Sequence, residues 1–182
     1  MKVIDIKLLK KFVQMAAERL SGDWIIIGGT VLPLLKIDYR VTVDIDVVAG
    51  HQRSNEQDAL LMELAEELGL PVEAINQAGH YFLHKIKDWQ NQMVLLAKGK
   101  NAKIYRPNAT LFILLKLDRM SESDLTDCQA MIEFSKTHKD ELDPKRLQQR
   151  INKKISEIER DHSKRERYQT LLKHIDINHV AL

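Results

Sequence analysis

Cysteine is almost absent from this sequence, since Cys128 is the single one among 182 residues. One cysteine cannot form an internal disulfide, and its scarcity is typical of proteins in a reducing compartment. Long apolar runs are also missing, because none approaches the roughly 20 residues that a helix needs to cross a bilayer. Charged residues (Lys2, Asp5 and Lys7) occupy the segment that would be apolar in a signal peptide. We therefore expect a cytoplasmic protein that does not act in a membrane.

Neither sign of charge dominates, with 28 Lys and Arg against 26 Asp and Glu and a formal net charge of +2. The distribution is uneven. Residues 143–174 hold ten basic and five acidic residues, which leaves eighteen and twenty-one for the remainder. A slightly acidic body with a basic tail is compatible with an anionic partner such as RNA. Alternating charges on a solvated helix explain the same tail without any partner.

Apolar periodicity divides the chain into helices and strands of ordinary length. The pattern predicts a chain in which helices and strands are interspersed. In residues 78–87 the pattern is unclear, and the Tyr81-Phe82-Leu83 run favours a strand. The predicted helices cover residues 4–20, 31–37, 57–68, 109–120 and 123–136, with one or two charged helices in 144–174. The predicted strands cover residues 24–27, 41–48, 71–75, 93–97 and 103–105.

Two aspartates stand in the strand predicted over residues 41–48. The alternation places Thr42, Asp44 and Asp46 on one face and aliphatic residues on the other. At about 3.3 Å per residue, the two carboxylates would lie about 7 Å apart along the strand. Like charges repel at that distance, and a divalent cation is the usual reason to bring them together. The pattern predicts a site for Mg²⁺ (or Mn²⁺) at Asp44 and Asp46, because these ions prefer oxygen ligands.

The turn before these aspartates has the sequence Gly28-Gly29-Thr30 and follows a buried, β-branched strand. Glycines allow backbone N–H groups to approach a phosphate closely. Thr30 can add a hydroxyl to a ligand, or can serve instead as the N-cap of the next helix. Both interpretations are open at this point. A turn that can bind phosphate, followed by a strand that can bind a metal ion, predicts a nucleotide-binding site.

Gly28-Gly29-Thr30, a helix-length spacer and Asp44-Ile45-Asp46 resemble the signature of the nucleotidyltransferase superfold. The form Arg40-x-Thr42-x-Asp44-Ile45-Asp46 is similar to the AbiEii-type toxins of toxin–antitoxin and phage-defence systems, and to nucleotidyltransferase-like domains of unknown function. The resemblance implies an α/β (more specifically α+β) fold with a mixed β-sheet flanked by helices. It places a nucleotidyltransferase-like domain over residues 1–138 and a charged helical extension over 139–182. It also implies that Arg40 and Thr42 contact the nucleotide phosphates.

A second segment carries the same resemblance. Leu114-Leu115-Lys116-Leu117, then Arg119, then Asp124-x-x-Asp127 are similar to the late part of those relatives. By resemblance, Lys116 would bind phosphate, Asp124 or Asp127 would complete the catalytic site, and Arg119 would hold Asp124 or a phosphate. The residues allow plainer roles, with Lys116 extending to water at the helix edge and Asp124 placed near a helix N-terminus.

The chain departs from the superfold in one respect. Many of its active members carry a third carboxylate on a later strand beside the aspartate pair, and the candidate strand here, residues 93–98, has none. Either Asp124 or Asp127 replaces it, or metal binding is weak and the domain is not a transferase. His80 and His84 have a spacing that suits a metal, but a zinc site needs three or four ligands, so packing or surface roles are expected.

The function implied is transfer of a nucleoside monophosphate from a nucleoside triphosphate to a hydroxyl of an RNA (tRNA) or a protein. A cognate antitoxin is a further implied partner. The alternative is a catalytically inactive module of the same fold that binds a nucleotide or a partner chain. The sequence leaves open the nucleotide, the acceptor and the oligomeric state.

Overall fold

The computed structural model describes residues 4–37, 42–50 and 54–179. The chain forms two compact units, Met1–Pro107 and Asn108–Leu182. The boundary predicted between residues 138 and 139 falls inside the second unit. None of the helices in the described ranges combines the length and the apolar character needed to span a membrane.

The first unit is built on a five-stranded mixed sheet. Its strands are β1 (Gly22–Ile26), β2 (Ile45–Ala49), β3 (Ile75–Asn76), β4 (Met93–Lys98) and β5 (Ala102–Pro107). The strand order is β3-β2-β1-β5-β4. β1 runs antiparallel to β2 and parallel to β5, β2 runs parallel to β3, and β4 and β5 form the predicted antiparallel hairpin. Trp24, Ile25 and Ile26 of the central β1 are buried, as expected for a strand that is covered on both faces.

Helices and short 3₁₀ turns connect these strands. α1 begins after Asp5, whose side chain accepts a hydrogen bond from the Leu8 N–H at 2.8 Å, which is the geometry of an N-cap. The helices of the first unit are α1 (Ile6–Arg19), α2 (Val31–Leu34), α3 (Asn55–Glu67) and α4 (His80–His84), and its 3₁₀ turns are Gly28–Thr30, Val72–Ala74 and Trp89–Gln92. The predicted α+β fold with a mixed sheet and flanking helices is therefore confirmed.

Three predicted strands need correction. The strand predicted over 41–48 is shorter, because β2 begins at Ile45 and Thr42 forms only an isolated bridge with Ile4. The Thr42 hydroxyl donates to the Asp44 carbonyl at 2.9 Å, and such local bonds compete with ladder formation.

The strand predicted over 71–75 is mostly a 3₁₀ turn, Val72–Ala74, after Pro71, which has no N–H to give to a ladder. The strand favoured at residues 81–83 is wrong, since these residues lie in α4. The helix buries Leu83 and leaves Tyr81 and Phe82 exposed, a division that a helical turn produces and a strand's strict alternation does not.

The second unit consists of helices in the described part of the chain. They are α5 (Ala109–Lys116), α6 (Glu122–His138), α7 (Pro144–Glu157) and α8 (His162–His179). α5 is a core helix, since all of its residues except Leu115 are buried. Pro144 occupies the first turn of α7, where its missing N–H is tolerated. The prediction of one or two charged helices is resolved as two.

Candidate functional site

A threonine holds together the segment that carries the two predicted metal ligands. The Thr30 hydroxyl donates to the Asp44 carbonyl at 3.2 Å and accepts from the Asp46 N–H at 3.2 Å. Thr42 donates to the same Asp44 carbonyl, and both threonines are buried. Thr30 occupies the N-cap position of α2, as predicted, but its hydroxyl makes no capping bond to the helix. A contact from either hydroxyl to phosphate stays a prediction.

Gly28 packs directly against the carboxylate of Asp46. Its φ is +66°, and a Cβ at this position would lie 2.2 Å from Asp46 Oδ2. The preceding Ile27 N–H donates to the Asp46 carbonyl at 2.9 Å, which fixes the turn against β2. Any other residue at position 28 meets both an unfavourable φ and a steric overlap. Gly29 continues the same 3₁₀ turn.

The other oxygen of Asp46 is bound by an asparagine that sequence reasoning missed. Asn76 lies opposite Asp46 in the β2–β3 pairing, and its Nδ2 donates to Asp46 Oδ1 at 2.9 Å. Its Oδ1 accepts from the Ala78 N–H at 2.9 Å, which determines how the amide is oriented. The sequence offered little indication of this contact, because Asn76 is a single amide at the end of a short apolar stretch.

The topology also corrects the strand on which a third carboxylate was sought. Residues 93–98 form β4, which lies at the far edge of the sheet, whereas the strand beside β2 is β3. At the position opposite Asp46, β3 carries the neutral Asn76. Within residues 4–37, 42–50 and 54–179, no group of three or more His, Cys, Asp or Glu side chains is placed to hold a metal ion.

Two carboxylates fit a magnesium or manganese ion that takes its remaining ligands from water and from substrate phosphates. Asp44 and Asp46 would supply oxygen ligands, which suits a hard cation, and the lack of a side chain at position 28 lets the Asp46 carboxylate lie against the glycine turn. The donor chemistry of the first unit therefore fits the predicted cofactor. Arg40, predicted to bind phosphate, lies outside the described residues.

The second set of predicted residues forms a buried ion cluster in the second unit. Lys116 Nζ donates to Asp124 Oδ1 at 2.9 Å and to Asp127 Oδ2 at 2.7 Å. Arg119 donates to the two oxygens of Asp124 at 2.6 and 2.7 Å. The Lys116 side chain is 6% exposed, and both aspartates are 0% exposed. Lys116 therefore does not extend to water, and its alternative as an edge lysine is wrong.

Asp124 also belongs to the N-terminal cap of α6. Its Oδ2 accepts from the Ser121 N–H at 3.0 Å and from the Ser121 hydroxyl at 2.7 Å, and the Asp124 N–H donates to Ser121 Oγ at 3.2 Å. Burial by itself would raise the pKa of Asp124, but the hydrogen bonds from Arg119, Lys116 and Ser121 and the charge of Lys116 hold that pKa well below its usual range. Asp124 is therefore ionised at neutral pH.

This geometry limits what Lys116 can do for a ligand. An ammonium group has three hydrogens, and two of them are directed to the aspartates. The ring centroid of Phe112 lies 5.3 Å from Nζ. The contacts account for a structural ion cluster without any ligand. The predicted phosphate contact of Lys116, the catalytic roles of Asp124 and Asp127, and the choice between them stay predictions.

The basic run of the tail bonds to backbone carbonyls of the second unit. Lys164 Nζ donates to the Asp118 carbonyl and Arg167 Nε to the Met120 carbonyl, both at 2.7 Å. Arg165 Nη2 donates to the Ile158 carbonyl at 2.6 Å. Cations are favoured where carbonyls are left at the end of a helix. At these three residues the positive charge therefore holds the turn after α5 and the end of α7, and an RNA contact by the tail stays a prediction.

Two features of the sequence have packing roles. The rings of His80 and His84 lie 4.1 Å apart between centroids, and His84 meets Trp89 edge-on at 5.3 Å. Burial raises the pKa of the Cys128 thiol far above its usual range, which disfavours the nucleophilic thiolate. The expectation that neither feature is a metal or catalytic site stays a prediction.

A protein-family model described as a nucleotidyltransferase of unknown function (DUF6036) matches residues 3–180. The match therefore extends over both units and confirms the resemblance at the level of the nucleotidyltransferases. No curated protein and no solved structure matches the chain. The closer likeness to AbiEii-type toxins stays a prediction.

Proposed function

The chain belongs to this family of nucleotidyltransferases of unknown function, and on that premise we propose that it transfers a nucleoside monophosphate from a nucleoside triphosphate to a hydroxyl group. The acceptor is an RNA, with tRNA the first candidate, or a protein side chain. The observation that carries the proposal is the way in which Thr30 and Gly28 hold Asp44 and Asp46 against a glycine turn.

In this reaction the acceptor oxygen forms a bond to the α-phosphorus while the bond from that phosphorus to the bridging oxygen breaks, and pyrophosphate leaves. Mg²⁺ or Mn²⁺, when bound by Asp44 and Asp46, supplies positive charge that stabilises the negative charge on the phosphates. The N–H groups of Gly28 and Gly29 bind phosphate oxygens. One carboxylate accepts the proton of the acceptor hydroxyl.

The threonines bond to the backbone of the aspartate segment, and their predicted contact with phosphate is part of this proposal. Thr30 fixes the backbone on both sides of the aspartate pair, because it bonds to the carbonyl of Asp44 and to the N–H of Asp46. Thr42 supports the same carbonyl. Such bonds limit the movement of both carboxylates, and a preorganised site avoids reorganisation during the reaction. Arg40 and Lys116 as phosphate ligands, Arg119 beside Asp124, and Asp124 or Asp127 as the proton acceptor belong to the same proposal by resemblance.

The proposal is tested by incubating the purified chain with Mg²⁺, each of four α-labelled nucleoside triphosphates, and total RNA with lysate protein. Label on RNA or protein is expected, and Asp44→Ala and Asp46→Ala should abolish it. Glu73→Gln removes an exposed carboxylate of the same unit and should retain the label. Lys116→Ala, Asp124→Asn and Asp127→Asn, assayed where they remain folded, show whether the second cluster is needed.

One observation favours the alternative, a catalytically inactive module that binds a nucleotide or a partner. The side chain that bonds to Asp46 from β3 is the neutral amide of Asn76, and the described residues contain no group of three or more possible metal ligands. Absence of label from folded protein with metal present, together with nucleotide binding that survives Asp44→Ala, would establish this alternative in place of transfer.

The likeness to AbiEii-type toxins extends the proposal to a cytoplasmic toxin or phage-defence component with a cognate antitoxin. Expression of the chain should then arrest growth, and Asp46→Ala should relieve the arrest. Co-expression with the product of a neighbouring gene should also relieve it and should yield a complex that co-purifies. Normal growth at a verified level of folded protein would remove the toxin role and leave the transferase proposal intact.

A further inference from the structure

Asn76 of β3 bonds to the carboxylate of Asp46, and both ends of its amide are engaged. Nδ2 donates to Asp46 Oδ1 and Oδ1 accepts from the Ala78 N–H, both at 2.9 Å. The bond to Ala78 excludes the flipped amide, because a flip would bring two donors together. Asn76 therefore offers Asp46 a hydrogen-bond donor and never an acceptor.

This bond makes the two oxygens of Asp46 unequal. Oδ1 is bound to the amide of Asn76, whereas Oδ2 lies against Gly28, where a Cβ would approach to 2.2 Å. Rotation of the carboxylate would break the first contact. Asp46 is thus held with Oδ2 toward the turn that the proposed function assigns to phosphate.

The amide also sets the charge of the site. It stands beside Asp46 where an aspartate of the same size would raise the number of grouped carboxylates from two to three. A neutral amide adds no charge, so within the described residues Asp44 and Asp46 are the carboxylates that the proposed function offers to a cation. Mg²⁺ dehydrates reluctantly and is commonly bound by one or two carboxylates together with substrate phosphates.

We propose that Asn76 is a positioning residue that holds Asp46 Oδ2 toward the glycine turn and, by adding no charge, makes firm metal binding depend on the nucleotide. This inference rests on the proposed function, because it assumes that Asp44 and Asp46 bind a metal. It concerns a residue of this chain that acts through Asp46 and does not itself contact the substrate.

The test is a titration of Mn²⁺ into the full chain, followed by the electron paramagnetic resonance signal of free Mn²⁺. It is done with and without a nucleoside triphosphate analogue whose α–β bridge cannot be cleaved. Wild type should bind Mn²⁺ firmly only with the analogue. Asn76→Ala should weaken that binding by about tenfold or more, as is usual when an outer partner of a metal ligand is removed.

Asn76→Asp should give a result that a purely structural role of Asn76 would not produce. It should tighten Mn²⁺ binding without nucleotide by about tenfold or more, because a third carboxylate joins the pair. A gain in affinity cannot result from damage to the fold, so this variant keeps the inference testable if Asn76→Ala unfolds. Asn101→Ala is the matched control, because it also removes an asparagine amide, but one that bonds to the Glu18 carbonyl. Its Mn²⁺ titrations with and without the analogue should both match those of wild type.

The outcomes separate the two proposals. Binding by Asn76→Ala equal to wild type, with loss in Asp46→Ala, would overturn the positioning role and leave the metal site standing. Firm wild-type binding without nucleotide, or no gain in Asn76→Asp, would overturn the dependence on nucleotide. Failure of wild type to bind Mn²⁺ differently from Asp46→Ala would overturn the proposed function and this inference with it.

Discussion

Lys116 and Asp127 form a salt bridge of 2.7 Å in which both side chains are buried. Asp124 joins them at 2.9 Å from the same ammonium, and Arg119 reaches Asp124 from a side chain that is 69% exposed. Two cations and two anions make the cluster neutral. Desolvation of ions is expensive, and burial is tolerated only when each charge has close partners and hydrogen bonds. The cluster is therefore sensitive to the loss of any one member.

Lys116→Met should destabilise the chain strongly. The change keeps the length of the side chain and removes the charge, which leaves two buried aspartates with a single cation. Breaking a buried pair from one side typically costs about 3–5 kcal/mol. The free energy of unfolding, measured in urea by circular dichroism, should fall by that order.

Lys136→Met is the control for loss of a lysine on a helix. Lys136 pairs with Glu133 at 2.8 Å, but the Glu133 side chain is 54% exposed, and exposed pairs contribute about 0.2–1 kcal/mol. The double variant Lys116→Met with Asp127→Asn should regain part of the stability, because one uncompensated charge is removed. Equal losses in Lys116→Met and Lys136→Met would show that the cluster is not buried in solution.

Asp124 should make the free energy of unfolding depend on pH in the acid range. Its pKa is lowered in the folded chain, whereas an unfolded Asp titrates near 3.9. The stabilising contribution is then complete above the unfolded pKa and is lost as the pH falls through about 4 toward the folded pKa. Asp124→Asn should be less stable than wild type at pH 7 and should lose less stability between about pH 5 and pH 2.

The measurement is urea unfolding at a series of pH values. The slope of the free energy of unfolding against pH is compared between wild type and Asp124→Asn. Glu159→Gln serves as the control for loss of one exposed negative charge. A variant Asp124→Asn that follows the wild-type slope throughout the acid range would contradict the depressed pKa.

The sequence predicted the parts of the fold that depend on long, regular patterns. α1, α6 and the β4–β5 hairpin were expected at nearly their observed places, because periodicity over many residues is informative. Alternation also placed Asp46 in a strand, as observed, whereas Asp44 precedes the first residue of β2.

The missing parts depend on short or non-local structure. Asn76 could not be identified because a strand of two residues shows no period, and its contact with Asp46 spans 30 positions. The Asp44 carbonyl, just before β2, accepts from the hydroxyls of Thr42 and Thr30, and the second of these contacts is not local in the sequence. The pairing of Lys116 with residues 8 and 11 positions later depends on how α5 and α6 meet, which local propensity does not determine.

Tyr168→Phe should weaken the second unit through a single hydroxyl. This tyrosine is fully buried and its hydroxyl donates to the Leu117 carbonyl, in the turn after α5. Burial, followed by the negative charges of Asp118 and Glu157, raises the pKa of Tyr168 to about 12. Removing the hydroxyl leaves a buried carbonyl without that donor, which typically costs about 1–3 kcal/mol. Urea unfolding should show a loss of this size.

Tyr81→Phe is the matched control, because Tyr81 is 63% exposed and its hydroxyl has access to water. Exposed substitutions of this kind usually change stability by less than about 0.5 kcal/mol. If both variants lose the same free energy, the bond between Tyr168 and Leu117 does not stabilise the turn.

Gly28→Ala should affect both stability and the metal. The φ of +66° disfavours any side chain, and the new Cβ would overlap Asp46 Oδ2 at 2.2 Å. The left-handed conformation alone costs about 1–2 kcal/mol. Asp46 must also move, so Mn²⁺ binding in the presence of a triphosphate analogue should weaken more than the loss of stability explains.

Gly69→Ala separates these two effects. Gly69 has a φ of +64° and follows the end of α3, where a left-handed glycine commonly terminates a helix. Alanine there should destabilise the chain by the same backbone strain and leave Mn²⁺ binding unchanged at a temperature where both variants are folded. Because the two glycines share their φ, a difference in metal affinity reports on the contact with Asp46. Equal affinities would show that Asp46 tolerates displacement and that the close fit of Gly28 is not needed for the metal.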